Sequence, residues 1–443
     1  MAAKRLQPGS NMHKTSSEEL FARYRQHPYI STDSRIAQPG SLFFSLKGDN
    51  FDGNQYSRNA LDNGAALAVI DNPSFYVDER TLLVDDVLAS LQQLASDFRS
   101  SLRIPVIGIT GTNGKTTTKE LMAAALSARF VTHATTGNFN NHIGVPITLL
   151  TIKPDTEIAV VEMGANHIGE IATLCRIARP THGIITNIGK AHLEGFGSAE
   201  GVIRAKSELY NHLRLFGGTV FVNADNPLLM SLTGDMERVT YGENNNASFR
   251  GSVNREETML CFTLQTPSVQ TVSTKLAGSY NFENAMAALC IARHFRVGLT
   301  AAIQAVENYV PKMNRSQIII TDRNTLVMDA YNANPSSMLA ALVNFSRIKS
   351  AKKILLMGDM FELGYDAQAE HINILESAIS FSFDAIITAG PCFAEAAKGK
   401  AGVTSFETVT ELKAYLLEHE IKDAFILVKG SRGMKLESIT ENL

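Results

Sequence analysis

Tryptophan is absent from the chain, and cysteine is scarce: Cys175, Cys261, Cys290 and Cys392 lie far apart, in no paired or metal-like spacing. That pattern argues against a disulfide framework and against a structural zinc site, and reads as reduced thiols in a cytoplasmic enzyme. A basic excess is also missing. Lys and Arg number 41 against 44 Asp and Glu, a net charge of -3, so no global field recruits nucleic acid or an anionic membrane surface. Any anionic ligand must be held locally. No stretch supplies the roughly 18 uncharged apolar residues of a membrane span. Residues 1–17 are polar and basic without the apolar segment of an export signal. Neither export nor membrane spanning is expected, and residues before Met12, with the loop composition Gln7-Pro8-Gly9-Ser10-Asn11, are expected to form a flexible extension. Internal repeats and low-complexity tracts are absent, and the densest polar stretch, residues 243–247, reads as a surface turn.

What is present is a chain of 443 residues, 44% hydrophobic and 19% charged, with a mean hydropathy of -0.02. That is too long for one ordinary core and composed like a compact globular protein. The pattern of apolar runs predicts an α/β protein of three domains. Residues 1–102 read as a small α/β unit, with strands over 41–46 and 66–70 and a helix over 87–102. Residues 103–311 open on the buried strand 106–110. Apolar runs at 158–161, 183–186 and 219–222 alternate there with helices, the pattern of a doubly wound parallel sheet, and residues 249–274 look antiparallel. Residues 312–443 begin a fresh Rossmann-like α/β alternation, with strands at 317–320, 325–328, 353–357, 385–388 and 424–428.

The strand ending at Thr110 runs into Gly111-Thr112-Asn113-Gly114-Lys115-Thr116 and then a helix over 116–128. Backbone N–H groups and a helix N-terminus converge there, which suits a polyphosphate. Lys115 would reach the β- and γ-phosphates of ATP, and the Thr116 hydroxyl would ligate magnesium. The usual loop has a glycine five residues before Gly114, but that position is Ile109, with Gly108 one residue further out. The loop is a variant.

The octapeptide Thr110-Gly111-Thr112-Asn113-Gly114-Lys115-Thr116-Thr117 resembles the signature of the Mur ligases, which add amino acids to the peptide stem of bacterial cell-wall precursors. Gly137-Asn138-Phe139-Asn140-Asn141-His142, Glu162-Met163-Gly164, Thr186-Asn187-Ile188-Gly189, Ala191-His192-Leu193 and Ala205-Lys206-Ser207-Glu208 follow in the order of that family's central domain. Ser31-Thr32-Asp33-Ser34-Arg35 and Leu46-Lys47-Gly48 resemble the UDP-sugar-binding domain of the enzymes that add the third residue and the final dipeptide. No DNPR-type tetrapeptide for a third residue occurs. Instead Asp329-Ala330-Tyr331-Asn332-Ala333-Asn334-Pro335, Gly358-Asp359-Met360-Phe361-Glu362-Leu363-Gly364 and Lys429-Gly430-Ser431-Arg432-Gly433-Met434 resemble the branch that adds the dipeptide.

The resemblance implies roles residue by residue. Gly111, Thr112, Asn113, Gly114, Lys115, Thr116 and Thr117 would cradle ATP, Asn284 would meet its adenine, Arg315 its γ-phosphate and Asp329 its ribose. Glu162 would bind a magnesium ion, and His192 with a carbamylated Lys206 a second. Lys115, Glu162, His192 and Lys206 would form the catalytic set. Ser34, Arg35, Lys47 and Asn138 would contact the UDP-precursor; Asn332, Asn334 and Ser431 would orient the incoming dipeptide, Asn332 near the nucleotide as well. Each has a plainer reading. A carboxylate at a strand end, a lone histidine, a helix lysine and polar loop residues are more often solvated or structural. Three positions depart from the family pattern: Asn54 and Tyr280 stand where histidine is usual, and Asn314 where glycine precedes the arginine.

The implied reaction moves the γ-phosphoryl group of ATP to the terminal carboxylate of a UDP-N-acetylmuramoyl-tripeptide, and the amine of D-alanyl-D-alanine attacks the acyl phosphate. This is the last cytoplasmic peptide addition of peptidoglycan precursor synthesis, by an enzyme expected to be a monomer. The sequence leaves two alternatives. One is a related ligase adding a single amino acid, or glutamate to a folate-like acceptor; the other is a nucleotide-binding regulatory module without catalysis.

Overall fold

A computed structural model of the chain describes residues 13–190, 193–255, 257–266 and 269–443. The extension expected before Met12 and the metal ligand expected at His192 lie outside the described residues. The described residues pack as two compact units. One comprises the described part of Met1–Gly108 with Val131–Gly164 and Ala172–Thr181; the other comprises Ile109–Phe130, Ala165–Ile171 and His182–Leu443.

In the first unit a four-stranded parallel sheet runs in the order Ile30–Ser31, Leu42–Phe44, Leu67–Ile70, Thr81–Leu83. Its central strands are buried throughout, which is why they read as uninterrupted apolar runs. The strand expected over 41–46 is shorter, because the Leu46 N–H turns back to the Phe44 carbonyl (2.8 Å). The chain then makes the small hairpin Lys47–Gly48/Phe51–Asp52. The helix Val87–Ser101 starts where the Asp86 side chain accepts from the Ala89 N–H (2.7 Å), an N-cap that satisfies an otherwise orphaned donor. From its last turn the buried Arg99 donates to the carbonyls of Ala178 (2.8 Å) and Arg179 (3.0 Å). Also in this unit, Thr132–Ala134 pairs in parallel with Ile158–Glu162.

The second unit holds two larger sheets. His182–Ile185, Thr219–Asn223, Arg238–Gly242 and Phe249–Asn254 pair in parallel. Met259–Leu264 and Gln270–Ala277 extend them antiparallel, as expected for 249–274. The polar stretch 243–247 is the expected turn, with the Glu243 and Asn244 N–H groups donating to Asp225 (2.7 Å each). The last sheet runs in the order Gln317–Ile320, Asn324–Asp329, Ala424–Lys429, Lys353–Gly358, Ala385–Ala389, Val403–Phe406, parallel except at its first edge. Alternate residues of these strands serve two cores. Val327, Leu355, Met357 and Leu427 face the cluster built with Met338, Leu342 and Phe345. Leu326, Met328, Ile354, Leu356, Ile426 and Val428 face the one built with Leu412, Leu416 and Leu436. Helices therefore cover both faces, as a Rossmann-like layer requires. All four cysteines are free thiols, and among the described residues no helix is long and apolar enough to cross a membrane.

At the start of the strand His182–Ile185 an imidazole is packed among rings: His182 lies 4.9 Å from Phe295 and 5.4 Å from His294, centroid to centroid. Burial, with the charge of His294 adding to it, pushes His182 down to about 4. An unfolded chain takes up that proton near pH ~6.5. Stability from this cluster is therefore full above about 6.5 and is lost as pH falls from there toward about 4. The melting temperature should drop between about pH 7 and pH 5, and His182→Phe should shrink that drop; an equal drop in both proteins would assign the acid sensitivity to other groups.

Candidate active site

The strand Val106–Thr110 delivers the phosphate loop, and the helix Lys115–Ser127 leaves it. Two loop glycines are obligatory for a visible reason. Gly111 has φ 144°, and a Cβ there would stand 2.0 Å from the Thr186 hydroxyl; Gly114 has φ 78°, and a Cβ there would stand 2.5 Å from Asn284 Oδ1. Only glycine allows both the backbone conformation and the close approach. The glycine missing at Ile109 is not needed, since Ile109 is a buried strand residue and Gly111 makes the turn.

Neighbouring chain fixes the loop from outside. The Asn187 carboxamide clasps the Asn113 backbone: its Oδ1 accepts from the Asn113 N–H (2.9 Å) and its Nδ2 donates to the Asn113 carbonyl (3.1 Å). The Thr186 hydroxyl donates to the same carbonyl (2.6 Å). The Thr112 N–H donates to the Asn187 carbonyl (2.9 Å), and the Thr112 hydroxyl accepts from the Gly189 N–H (3.0 Å). On the other side Asn284, buried, accepts from the Thr118 hydroxyl (2.9 Å) and donates to Asn281 (2.9 Å). Lys115 Nζ curls back onto the carbonyls of Gly111 (2.7 Å) and Thr112 (3.1 Å), which keeps its charge at the loop. Thr116 is buried in the first helical turn and Thr117 is half-buried. A preorganised loop of N–H donors with a lysine at its rim can hold a polyphosphate.

Lys206 sits on the helix Ala199–Phe216 and is 2% exposed. Its ammonium has the Ala165 carbonyl at 3.4 Å and the Phe196 ring centroid at 5.1 Å. Burial pushes Lys206 down to about 7, helped by the like charge of Lys115 and opposed by Glu170 and Glu208. In the first unit, Glu162 ends the strand Ile158–Glu162 at 1% exposure. Asn140 Nδ2 donates to its Oε1 (2.9 Å), and its N–H donates to the Thr135 hydroxyl (3.0 Å).

The last sheet brings Asp329, Lys429 and the Arg315 segment together. Asp329 accepts from Lys429 Nζ (2.6 Å) and from the Ser316 N–H (3.2 Å). The Arg315 guanidinium lies 3.4 Å from the centroid of the Tyr331 ring. Asn314, in the position where glycine is usual, has φ 55°, a conformation asparagine tolerates better than other residues with side chains. Asn332 is exposed and bonds its neighbour, the Ala333 N–H (2.9 Å). Asn334 caps the helix Pro335–Arg347, and its carboxamide pairs with that of Asn113, 2.7 Å in the shorter bond. The Ser431 hydroxyl, buried, accepts from the Phe361 N–H (3.0 Å). Nearby, ligand atoms of Asp359, His371 and Cys392 lie within 4.8 Å of one another. They form a hydrogen-bonded clasp, since Asp359 accepts from the N–H groups of Cys392 and Phe393 (2.9 Å each) and His371 Nε2 from the Met360 N–H (2.9 Å).

Three family descriptions match in chain order: "Mur ligase family, catalytic domain" over residues 28–99, "Mur ligase middle domain" over 109–292, and "Mur ligase, glutamate ligase domain" over 314–432. The chain belongs to the Mur ligase family. The UDP-N-acetylmuramoyl-tripeptide--D-alanyl-D-alanine ligase of Bacillus subtilis (strain 168) is 36% identical over 425 residues, 94% of this chain and 92% of that one. A crystal structure of MurF from Acinetobacter baumannii is similar with a TM-score of 0.85 and 32% identity, covering 94% of this chain and 93% of that one. MurF ligase from Thermotoga maritima in complex with ADP gives a TM-score of 0.83 at 26% identity, covering 94% and 97%. The α/β fold of this Mur ligase is the three-domain arrangement of those proteins.

In the first unit the residues expected at a precursor site are placed separately. Ser34 is buried, and its carbonyl accepts from Asn63 Nδ2 (2.8 Å). Arg35 is exposed and forks onto Asp33 (2.9 and 2.6 Å). Lys47 pairs with Asp71 (2.8 Å). Asn138 is exposed, and its carbonyl accepts from the Asn140 N–H (2.7 Å). Asn54, in the place of the usual histidine, is fully buried and binds Asp71 through its side chain in both directions (2.9 and 3.1 Å), so it holds the partner of Lys47. Asn140, Thr186, Asn187 and Asn281 lie within motifs of this Mur ligase that the sequence shows, but no role for them is legible there. Their signal is adjacency to Asn138, Gly189 and Asn284. Their partners lie 22 to 74 residues away for Asn140 and Asn187, a separation that no local pattern encodes.

Gly111→Ala should test the loop geometry. The added methyl group must displace Thr186 and occupy a strained φ, which should lower stability by roughly 1–3 kcal/mol and ADP affinity with it. Thr186→Ala in the same chain should return part of the loss in thermal melting and calorimetry; no recovery would place the damage elsewhere.

Proposed function

We propose that this Mur ligase joins D-alanyl-D-alanine to UDP-N-acetylmuramoyl-tripeptide with ATP, in the cytoplasm, as a step of peptidoglycan synthesis that serves cell shape and division. The observation that carries the reading is the pairing of the Asn113 and Asn334 carboxamides, which ties the ATP loop to the Asp329-to-Pro335 motif of the last segment. The similarity to ligases of that activity along 94% of the chain supplies the choice of substrates. Residues 1–102 carry the UDP-precursor, with Ser34, Arg35, Lys47 and Asn138 among its contacts. Residues 103–311 carry ATP, and 312–443 the dipeptide, with Asn332, Asn334 and Ser431 about it.

The tripeptide's terminal carboxylate attacks the γ-phosphorus and ADP departs with the bridging oxygen. The dipeptide amine then attacks the acyl carbon, phosphate leaves with the bonding pair, and the nitrogen releases its proton. Lys115 and Arg315 oppose the charge on the transferring phosphoryl group, which is where fixed donors contribute most. Asp329 and Asn284 orient the nucleoside. The Thr116 hydroxyl and the buried Glu162 carboxylate are hard oxygen donors that suit magnesium, and Glu162 is already oriented by Asn140. With His192 and a carbamylated Lys206 they would hold two ions, whose contribution is charge neutralisation.

Phosphate release should require UDP-N-acetylmuramoyl-tripeptide and D-alanyl-D-alanine together, and release without dependence on the dipeptide would overturn the reading. Lys115→Ala should lower that turnover on the order of a hundred- to a thousandfold with melting unchanged. For Lys206, CO2 adds to the neutral amine, whose share grows as pH rises through about 7. Depleting CO2 near the lower end of that range should depress turnover, and bicarbonate should restore it. Isotopically labelled bicarbonate should give a carbamate carbon resonance that is missing in Lys206→Arg; its absence from the unmodified protein would remove the carbamate from the mechanism.

A further inference from the structure

Arg315 lies in a segment held in an unusual conformation. Met313, Asn314 and Ser316 have φ of 56°, 55° and 50°, the left-handed region that side chains disfavour. Such strain persists only where surrounding contacts impose it, and here they can be named. The Ser316 N–H donates to Asp329 (3.2 Å), its carbonyl accepts from the Ala277 N–H (3.2 Å), and its hydroxyl meets the Tyr280 hydroxyl (2.9 Å) and the Asn281 carboxamide (3.2 Å). The backbone thus delivers Arg315 to one place. The guanidinium carbon rests 3.4 Å from the centroid of the Tyr331 ring.

A second cation meets the same ring. The Arg432 guanidinium carbon stands 5.0 Å from its centroid, and Nη1 donates to the Tyr331 hydroxyl (3.1 Å). Among the described residues neither arginine has a carboxylate partner, and the buried Nε of Arg315 has no acceptor. An aromatic face attracts a guanidinium and flattens it without consuming its in-plane N–H donors. A carboxylate partner would have fixed the arginine just as well but would have occupied the fork that a phosphate needs.

From this we infer that Tyr331 is the positioning residue for Arg315: its ring is the platform that holds the guanidinium with its donors unspent, while Arg432 anchors the ring through the hydroxyl. The inference rests on the reading of Arg315 as the group that meets the γ-phosphoryl. The face of the ring does the positioning, and the hydroxyl only steadies it.

The test compares Tyr331→Phe, Tyr331→Leu, Arg315→Ala and the Tyr331→Leu/Arg315→Ala double variant in the full chain. Turnover comes from dipeptide-dependent phosphate release. Calorimetry gives affinities for ADP and for a non-hydrolysable imido analogue of ATP. Tyr331→Phe, which loses the solvent-exposed bond from Arg432 but keeps the ring face, should stay within about threefold of the parent in turnover. Tyr331→Leu should lose at least about tenfold and forfeit the preference for the analogue over ADP, with ADP affinity unchanged. The double variant should be no worse than Arg315→Ala. Equal behaviour of Phe and Leu, equal weakening of both nucleotides, or additive losses in the double variant would each overturn the platform role. Full turnover by Arg315→Ala would instead remove the reading of Arg315 itself. Should the Leu variant melt below the assay temperature, Tyr331→Met is judged by the same outcomes.

Discussion

The backbone of Asn113 is the fixed point on which the nucleotide loop depends. Its N–H and carbonyl are both taken by the Asn187 carboxamide, and the carbonyl also takes the Thr186 hydroxyl. A loop rich in glycine has many conformations to lose on ordering, and three side-chain bonds to the backbone of one residue restrict that freedom. The side chain of the same residue reaches the other way, to Asn334 at the head of the helix Pro335–Arg347. Asn334 N–H is in turn bonded by the Ser337 hydroxyl (3.1 Å) in a capping box. One residue therefore links the order of the phosphate loop to the start of the last α/β layer.

Two lysines near that point have unlike surroundings, and the contrast is physical. Lys115 is half-buried with two backbone carbonyls on its ammonium, so its positive charge is compensated by dipoles that cannot move away. Lys206 is buried with one carbonyl at the limit of hydrogen bonding and an aromatic face. Burial lowers the pKa of Lys206 to about 7, and the charge of Lys115, acting as a like charge in a poor dielectric, adds to that lowering. Any group that made Lys206 anionic would turn this repulsion into attraction.

How far the sequence revealed this depends on which interactions are local. Strands buried on both faces announce themselves as apolar runs: Val106–Thr110 lies where the pattern puts it, and Lys353–Gly358 and Ala424–Lys429 extend the expected runs by one residue. Short or edge strands such as Thr132–Ala134 and Val403–Phe406, partly exposed and mixed in polarity, carry no run and went unseen. At the site, the glycines, Lys115 and the end of the strand at Glu162 are legible because strand, turn and helix follow one another in the chain. The residues that hold them are not, because Asn187 serves Asn113 across 74 positions and Asn334 across 221. Pairings at that range are decided by the fold and leave only isolated polar residues in the sequence.

The departures from the family pattern follow the same logic. Asn314 occupies a glycine position with a left-handed φ, and asparagine is the substitution that conformation best accepts. Tyr280 occupies a histidine position, and its hydroxyl bonds the Ser316 hydroxyl at 2.9 Å. Its ring needs the space that Gly278 leaves, since a Cβ on that glycine would stand 2.4 Å from the ring. A phenol reaches farther than an imidazole, and here the extra reach ends on the residue after Arg315. The two substitutions therefore act on one segment from opposite sides: Asn314 admits the turn before the arginine, and Tyr280 ties down the turn after it. In the folded chain both residues thus bear on the segment that carries Arg315.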